Sequence, residues 1–455
     1  MSFRTRFISL LLFVVMLVSF AFSGCSIVDV SSFGMEGLMQ PPMPDKEKYK
    51  IKLLLDTLVK GTITFSSPKS GIFMTACTEY DIDGDQTDEA VVFYQEKING
   101  VTQLYIHLFH KGPNGWESRE RISAGGDDIF LVDFYDLDND GADEIVVLWE
   151  NTEYEKSRRT LAVYEYENGN IVYANSKDCE DLTVVDLQSD NRLEIVTVTL
   201  EETETATVAK AKVYKYDSQE FYLMGEVMFD SEVVGYASVV SSSANKKNKK
   251  YFSRVMVDCF YQNDNQIMTY VVYWDEKSNK PTIFTLDPEL SMRNSTITSC
   301  DINDDGVMDL PMLVDFVNTV SNDTTGLIFD KDFITKEHMV AWQTYDTEWF
   351  TSEYTVLNSK FNYILTIPEE WVNDIAFIDN PSQNEYILYK WDYEKNKEIG
   401  FYVKVRVFKA AFWEENKNTL MNYTEVERNK AGTLVYTICK GYYGISGDIR
   451  LTINE

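Results

Sequence analysis

Four acidic segments of nine residues, each running into an apolar stretch, constrain this chain more than any other feature. They occupy residues 81–89, 136–144, 186–194 and 301–309. Each carries side-chain oxygens at positions 1, 3, 5 and 9. A chain that wraps a hard cation needs this spacing, because Ca2+ takes roughly six to eight oxygens and position 7 can add a backbone carbonyl. An EF-hand would close its loop with a bidentate Glu at position 12 and enter a helix. Position 12 is Val92, Val147, Thr197 and Met312 in turn, and none of these can close a cage. The runs that follow are β-branched and apolar with little alternation, which predicts strands covered on both faces. The acidic segments are therefore expected as loops between strands.

Successive loops begin 55, 50 and 115 residues apart. The last interval is about twice the others, so one repeat has lost its acids. It is expected near residue 243, where residues 233–240, 241–250 and 251–261 read as strand, polar loop and strand. That loop carries Lys246, Lys247, Lys249 and Lys250, read as a solvated loop of a decayed repeat. Units of this size with several short strands fit the blades of a β-propeller.

On these loops the chain resembles the FG-GAP/VCBS-type repeat family, the calcium-loop propellers related to the integrin α-subunit head. The resemblance spans roughly residues 46–345. It implies a mainly β fold, a propeller of five or six blades, with Ca2+ as a structural cofactor at about three sites and a degenerate fourth. It implies as ligands Asp81, Asp83, Asp85 and Glu89; Asp136, Asp138, Asp140 and Glu144; and Asp301, Asn303, Asp305 and Asp309. The carbonyls of Thr87, Ala142 and Val307 would complete these sets. Asp186, Asp190 and Glu194 form the degenerate set, weakened by Gln188 at position 3. The first loop has Gln86 where Gly141 and Gly306 make the turn in others. The Phe-Gly and Gly-Ala-Pro halves of the fuller family motif are not visible. Residues 62–65, ahead of the first repeat, are expected to close the last blade.

Arg4 and Arg6 precede an apolar stretch from Phe7 to Phe22, followed by Ser23-Gly24-Cys25. This stretch is shorter than the roughly 20 residues of a membrane span, and its basic-then-apolar order is that of a signal peptide. The Ser-Gly-Cys ending resembles a bacterial lipobox, which implies lipidation of Cys25 and residence on the outer face of a Gram-positive cell membrane. Residues 26–45, with Pro41, Pro42 and Pro44, read as a tether. The net charge of −31 disfavours nucleic acid and anionic lipid as partners, which leaves lipidated Cys25 as the membrane contact. Five cysteines remain after Cys25, an odd number with no close pair, so free thiols are expected rather than a disulfide framework.

A small α+β domain is expected over residues 346–455, where the loop repeat stops. Residues 361–367 read as a strand ending at Pro368, with Trp371 anchoring a turn. Val403, Val405 and Val407 alternate with Lys404 and Arg406 in a half-buried strand, and residues 412–416 read as a short helix. The Ile-Pro-Glu-Glu-Trp pattern is similar to a module appended to exported Firmicutes proteins.

No constellation of a known hydrolytic motif appears among the three histidines. His107 and His110 lie an odd number apart on one strand, so they point to opposite faces. His338 stands alone beside Glu337. The expected function is a lipid-anchored extracytoplasmic protein that binds or scaffolds a protein or glycan at the cell envelope. The alternative is a hydrolase or lyase acting on polysaccharide, which would need two metal-free carboxyls in a cleft.

Overall fold

The apolar run behind each of the first three acidic loops forms the second strand of an antiparallel sheet, and that strand is buried on both faces. Behind the fourth loop, against expectation, Leu310–Val314 stands first in its sheet and is buried only at Leu310 and Pro311. In the strand Glu89–Ile98, Val91 and Phe93 share a core with Ile145, Val147 and Trp149 of Glu144–Asn151. Ala90, Val92 and Tyr94 face a second core. Two covered faces remove the need for alternation, which is why these runs read as continuous.

The protein is described by a computed structural model covering residues 46–455, apart from 153–157, 205, 243–252, 285, 315–319, 324–325, 330–337, 346–347, 381, 393, 396, 445–448 and 454–455. The leader with Cys25, the tether and the Lys246–Lys250 cluster lie outside the described residues, as does the side chain of His338. Among the described residues, no helix is long and apolar enough to cross a membrane.

The fold is mainly β: among the described residues, six antiparallel sheets of four or five strands follow one another along the chain, and Val320–Asp323 pairs with Gly326–Phe329 as a separate two-stranded sheet. The first sheet is built on Glu89–Ile98, Val101–Gly112 and Gly115–Ser123; the second runs from Asp128–Tyr135 to Asn170–Cys179. The third runs from Asp181–Val185 to Glu220–Met228, and the fourth from Val233–Ser242 to Lys280–Phe284. Apolar cores lie between neighbours. Leu148 and Ile195 meet between the second and third sheets, and Val196 and Val257 between the third and fourth. Met256 and Leu310 meet between the fourth and fifth, and Val356 and Phe377 between the fifth and sixth. The fourth sheet is the unit expected near residue 243, since its first two strands flank the polar loop.

The sequence reading is corrected at two points. Thr62–Phe65 does not close a last blade: it pairs antiparallel with Glu89–Ile98, from Thr62 opposite Lys97 to Phe65 opposite Tyr94. The outer face of that first sheet is covered instead by the helix Lys46–Leu58, whose Ile51 and Leu55, one turn apart, are fully buried on it. A division at residue 345 also fails to separate sheets. The strands His338–Tyr345 and Trp349–Asn358 pair across it, and the terminal strand Arg450–Ile453 returns to the same fifth sheet beside Tyr363–Ile367. A hairpin buries its two strands together, so no boundary can run through its turn.

The local readings beyond residue 345 agree with the structure. Tyr363–Ile367 ends at Pro368 and buried Trp371 closes a 3-10 turn. Val403, Val405 and Val407 are buried within Lys397–Lys409, with Lys404 and Arg406 half-exposed. The helix Ala410–Asn416 buries Trp413. All five cysteines from Cys77 onward are free, and Cys77, Cys179 and Cys259 are buried.

His107 sits in the interior at 3 % exposure. Its ring nitrogens lie 3.1 Å from the Tyr94 hydroxyl and 2.8 Å from Ser118 Oγ. Burial, aided by the nearby Arg121 guanidinium, lowers its pKa from 6.5 to about 4. The folded state thus binds fewer protons than the unfolded state between those values. The stability tied to the neutral ring is complete above the higher value and lost as pH falls towards the lower one. Relative to His107→Gln, the wild-type melting temperature should decline as pH drops from 6.5 to about 4, with a constant difference at neutral pH and above. Parallel melting curves for the two proteins through that window would contradict a buried neutral His107.

Candidate metal centre

All four acidic loops adopt one backbone scaffold. Positions 4 and 6 take positive φ each time: 70° and 72° at Gly84 and Gln86, 63° and 95° at Asn139 and Gly141, 58° and 65° at Ser189 and Asn191, and 58° and 85° at Asp304 and Gly306. Gln86 therefore enters the left-handed region without glycine's freedom, at a cost of about 1 kcal/mol. The position 7 amide donates to the position 5 carboxylate throughout, from Thr87 to Asp85 at 2.7 Å, Ala142 to Asp140 at 2.8 Å, Arg192 to Asp190 at 3.0 Å and Val307 to Asp305 at 2.8 Å. These bonds turn the acids toward the inside of the loop.

Position 9 stands at the head of the strand that follows each loop. Glu89, Glu144, Glu194 and Asp309 are all 2 % exposed or less. Each accepts the position 2 amide, from Ile82, Leu137, Leu187 and Ile302, at 2.8 to 3.3 Å. One amide does not compensate a buried negative charge, and the loops differ in what else they supply.

In the first loop, His110 lies directly across the ladder from Glu89, with Nδ1 2.9 Å from Oε1. His107 does not join it, consistent with opposite faces. In the third, Lys215 lies across from Glu194, and its Nζ is 3.4 Å from Glu194 Oε1 and 3.0 Å from Asp190 Oδ2. Burial pushes Asp190 up, but the Lys215 ammonium and the Arg192 amide hold it below the usual carboxylate range. In the fourth, Asp309 accepts the hydroxyls of Thr344 and Ser352, the latter at 2.8 Å.

Glu144 of the second loop has no such partner among the described residues. Burial pushes Glu144 up to about 8, against the Leu137 amide, and the charges of Asp138, Asp140 and Glu165 push the same way. Asp138 is raised by burial too, with Asp140 and Glu165 adding to it. A cation would reverse this imbalance.

Two acidic groups converge closely enough to hold a metal ion: Asp81, Asp83 and Asp85, and Asp136, Asp138 and Glu144, each with ligand atoms within 4.8 Å of one another. Asp81 Oδ1 and Asp136 Oδ1 are buried atoms without a hydrogen-bond partner among the described residues, and an all-oxygen donor set suits a hard cation. These residues fit the ion. The third and fourth sets are not brought together in this way among the described residues.

The fourth sheet, which lacks an acidic loop, uses an internal cation. Asp258, fully buried, pairs with Arg293 Nη2 at 2.9 Å and accepts from the Ser299 amide at 2.6 Å and from Ser238 Oγ at 3.0 Å. Thr269 donates to it as well.

Sequence reasoning missed His110, Lys215 and Thr344, because none is near its acid in sequence. A signal existed for the first. Asn99-Gly100, both at positive φ, joins Ile98 to Val101 as a two-residue hairpin turn, and such a turn fixes the register that sets Glu89 opposite His110.

Lys215→Met should destabilise the protein in metal-free buffer by about 1 to 3 kcal/mol, the cost of leaving buried Glu194 uncompensated. Thermal or urea unfolding reads this directly, and unchanged stability would contradict the role of the ammonium.

No family model matches the chain, and no curated protein matches it. Its structure is similar to the Bacillus licheniformis rhamnogalacturonan lyase PL11, at 12% identity over 82% of this chain and 72% of that one, with a TM-score of 0.30. It is similar also to the exotype rhamnogalacturonan lyase YesX, at 9% identity over 82% of this chain and 83% of that one, again with a TM-score of 0.30. Likeness at this level carries no inference about chemistry.

Proposed function

We propose that this chain is an extracytoplasmic binding or scaffolding protein whose acidic loops hold structural Ca2+. The observation that carries the metal reading is the convergence of Asp81, Asp83 and Asp85, and of Asp136, Asp138 and Glu144, around buried oxygens that lack a partner. Asp140, Glu89 and the carbonyls of Thr87 and Ala142 would complete the first two sites. Asp301, Asn303, Asp305, Asp309 and the Val307 carbonyl would form a third. In the remaining loop, the ammonium of Lys215 stands where Asp186, Asp190 and Glu194 would otherwise need an ion. The serial packing of four-stranded meanders supports propeller-type blades, with the loops tying the first two strands of each blade.

The leader motif supports export, with anchoring through lipidated Cys25; retention of Cys25→Ser in membranes would refute the anchor. The partner is a protein or glycan of the envelope. A second reading, cleavage of polysaccharide, would use the polar cleft of 1180 Å³ lined by Asp301, Asp304 and Arg450. Asp301 already accepts the amides of Asp305 at 3.0 Å and Gly306 at 2.7 Å, which favours a structural role for this carboxylate over acid–base work.

The test is melting of wild type and Asp136→Ala in chelator and in millimolar calcium. At free calcium a hundredfold above Kd, one site adds about 2.7 kcal/mol to the folded state. Asp136→Ala should melt lower in calcium and lose a large part of the wild-type gain over chelator. Equal melting temperatures for the two proteins in calcium would refute the site.

A further inference from the structure

A cavity of 560 Å³ opens between the third, fourth and fifth sheets, away from the two convergent acidic groups. One wall is aromatic. Phe284 and Tyr345 meet edge to face at 5.7 Å, and Tyr345 and Trp349 at 5.2 Å. Arg254 lies over the Tyr345 ring at 4.1 Å, which stiffens this wall. Phe284 is 38 % exposed, so the wall reaches solvent. Ser253, 2 % exposed, also lines the cavity, and its buried Oγ has no hydrogen-bond partner among the described residues. Trp349 Nε1 is likewise buried and without a partner among the described residues.

Two orphaned polar groups in one aromatic cavity are a specific chemical statement. Buried hydroxyls and indole N–H groups are ordinarily paired, and leaving one unpaired costs about 1 to 3 kcal/mol. A ligand that repairs this must offer an acceptor to the indole and a hydroxyl-type partner to Ser253. It must also present an apolar face to Tyr345 and Trp349. A purely apolar ligand would leave both groups unpaired. A phosphorylated one would meet the field of a chain of net charge −31. A sugar ring meets every requirement: its C–H face lies flat on aromatic rings while its equatorial hydroxyls donate and accept at the edge. The volume is in the range of small-ligand sites.

We infer that this cavity binds a neutral pyranose unit of a glycan, stacked on Tyr345 and Trp349 and hydrogen-bonded to Ser253 Oγ and Trp349 Nε1. The inference rests on the envelope-binding reading and names the ligand class and the place.

The experiment is titration of the whole chain with four neutral oligosaccharides, cellohexaose, mannohexaose, maltohexaose and laminarihexaose, followed by calorimetry and tryptophan fluorescence. At least one should bind. Ser253→Ala and Trp349→Phe should each weaken that binding about tenfold, as expected for one lost hydrogen bond, and Ser253→Ala should melt no lower than the wild type without ligand, since it removes an unpaired buried hydroxyl. Ser253→Ala removes only one oxygen and serves should Trp349→Phe fail to fold. Binding at wild-type affinity in both variants would overturn the cavity as the site and leave the envelope-binding reading standing. Failure of all four sugars would overturn the carbohydrate ligand. Envelope binding is read separately, by pull-down of the wild-type chain on isolated cell envelopes.

Discussion

A carboxylate buried at the head of the strand after each acidic loop is the constraint around which this protein is arranged. Glu89, Glu144, Glu194 and Asp309 sit where a strand enters the core, and each fixes its loop by accepting the position 2 amide. A buried negative charge is tolerated only with compensation. The chain supplies it differently each time: an imidazole from His110, an ammonium from Lys215, two hydroxyls at Asp309, and at Glu144 nothing but the backbone among its nearest groups. The same cross-strand geometry thus grades four loops by their need for an external cation. The second loop needs it most, since Glu165 adds repulsion to a site already crowded with acids.

The loops matter to the fold because they join sheets as well as strands. The amide of Asp143, in the second loop, donates to the carbonyl of Ile82 in the first at 2.8 Å, and the Tyr80 hydroxyl donates to Asp143. Met308, in the fourth loop, donates to Ser242 Oγ at the end of the fourth sheet's first strand, at 2.8 Å. Cores between successive sheets supply the bulk of burial, and apolar packing tolerates sliding better than hydrogen bonds do. Ordered loops at the strand ends therefore set how neighbouring sheets align.

Much of this was legible in the sequence. Oxygens at positions 1, 3, 5 and 9 ahead of a β-branched run located four loops and three doubly covered strands, the fourth run being the partly buried first strand of its sheet, and the interval of 115 residues located the unit without acids. The alternation of Val403, Val405 and Val407 with Lys404 and Arg406 gave a strand with the correct face buried. What escaped was long-range. The pairing of Thr62–Phe65 with its own first sheet, the return of Arg450–Ile453 to the fifth, and the helix Lys46–Leu58 over an open sheet face all depend on which surface lacks cover. No local pattern records that. Lys215 and Thr344 escaped because a ladder register, not a motif, sets them beside their acids; the Asn99-Gly100 turn was the one place where that register could be counted.

The most direct test is the number of calcium ions bound per chain, by equilibrium dialysis against millimolar calcium with atomic-emission detection. Three ions are expected, one in each loop that lacks an ammonium, with Lys215 excluding the ion from the third loop. A chain that binds none would contradict the cation reading of the acidic loops, and four ions would contradict the role assigned to Lys215.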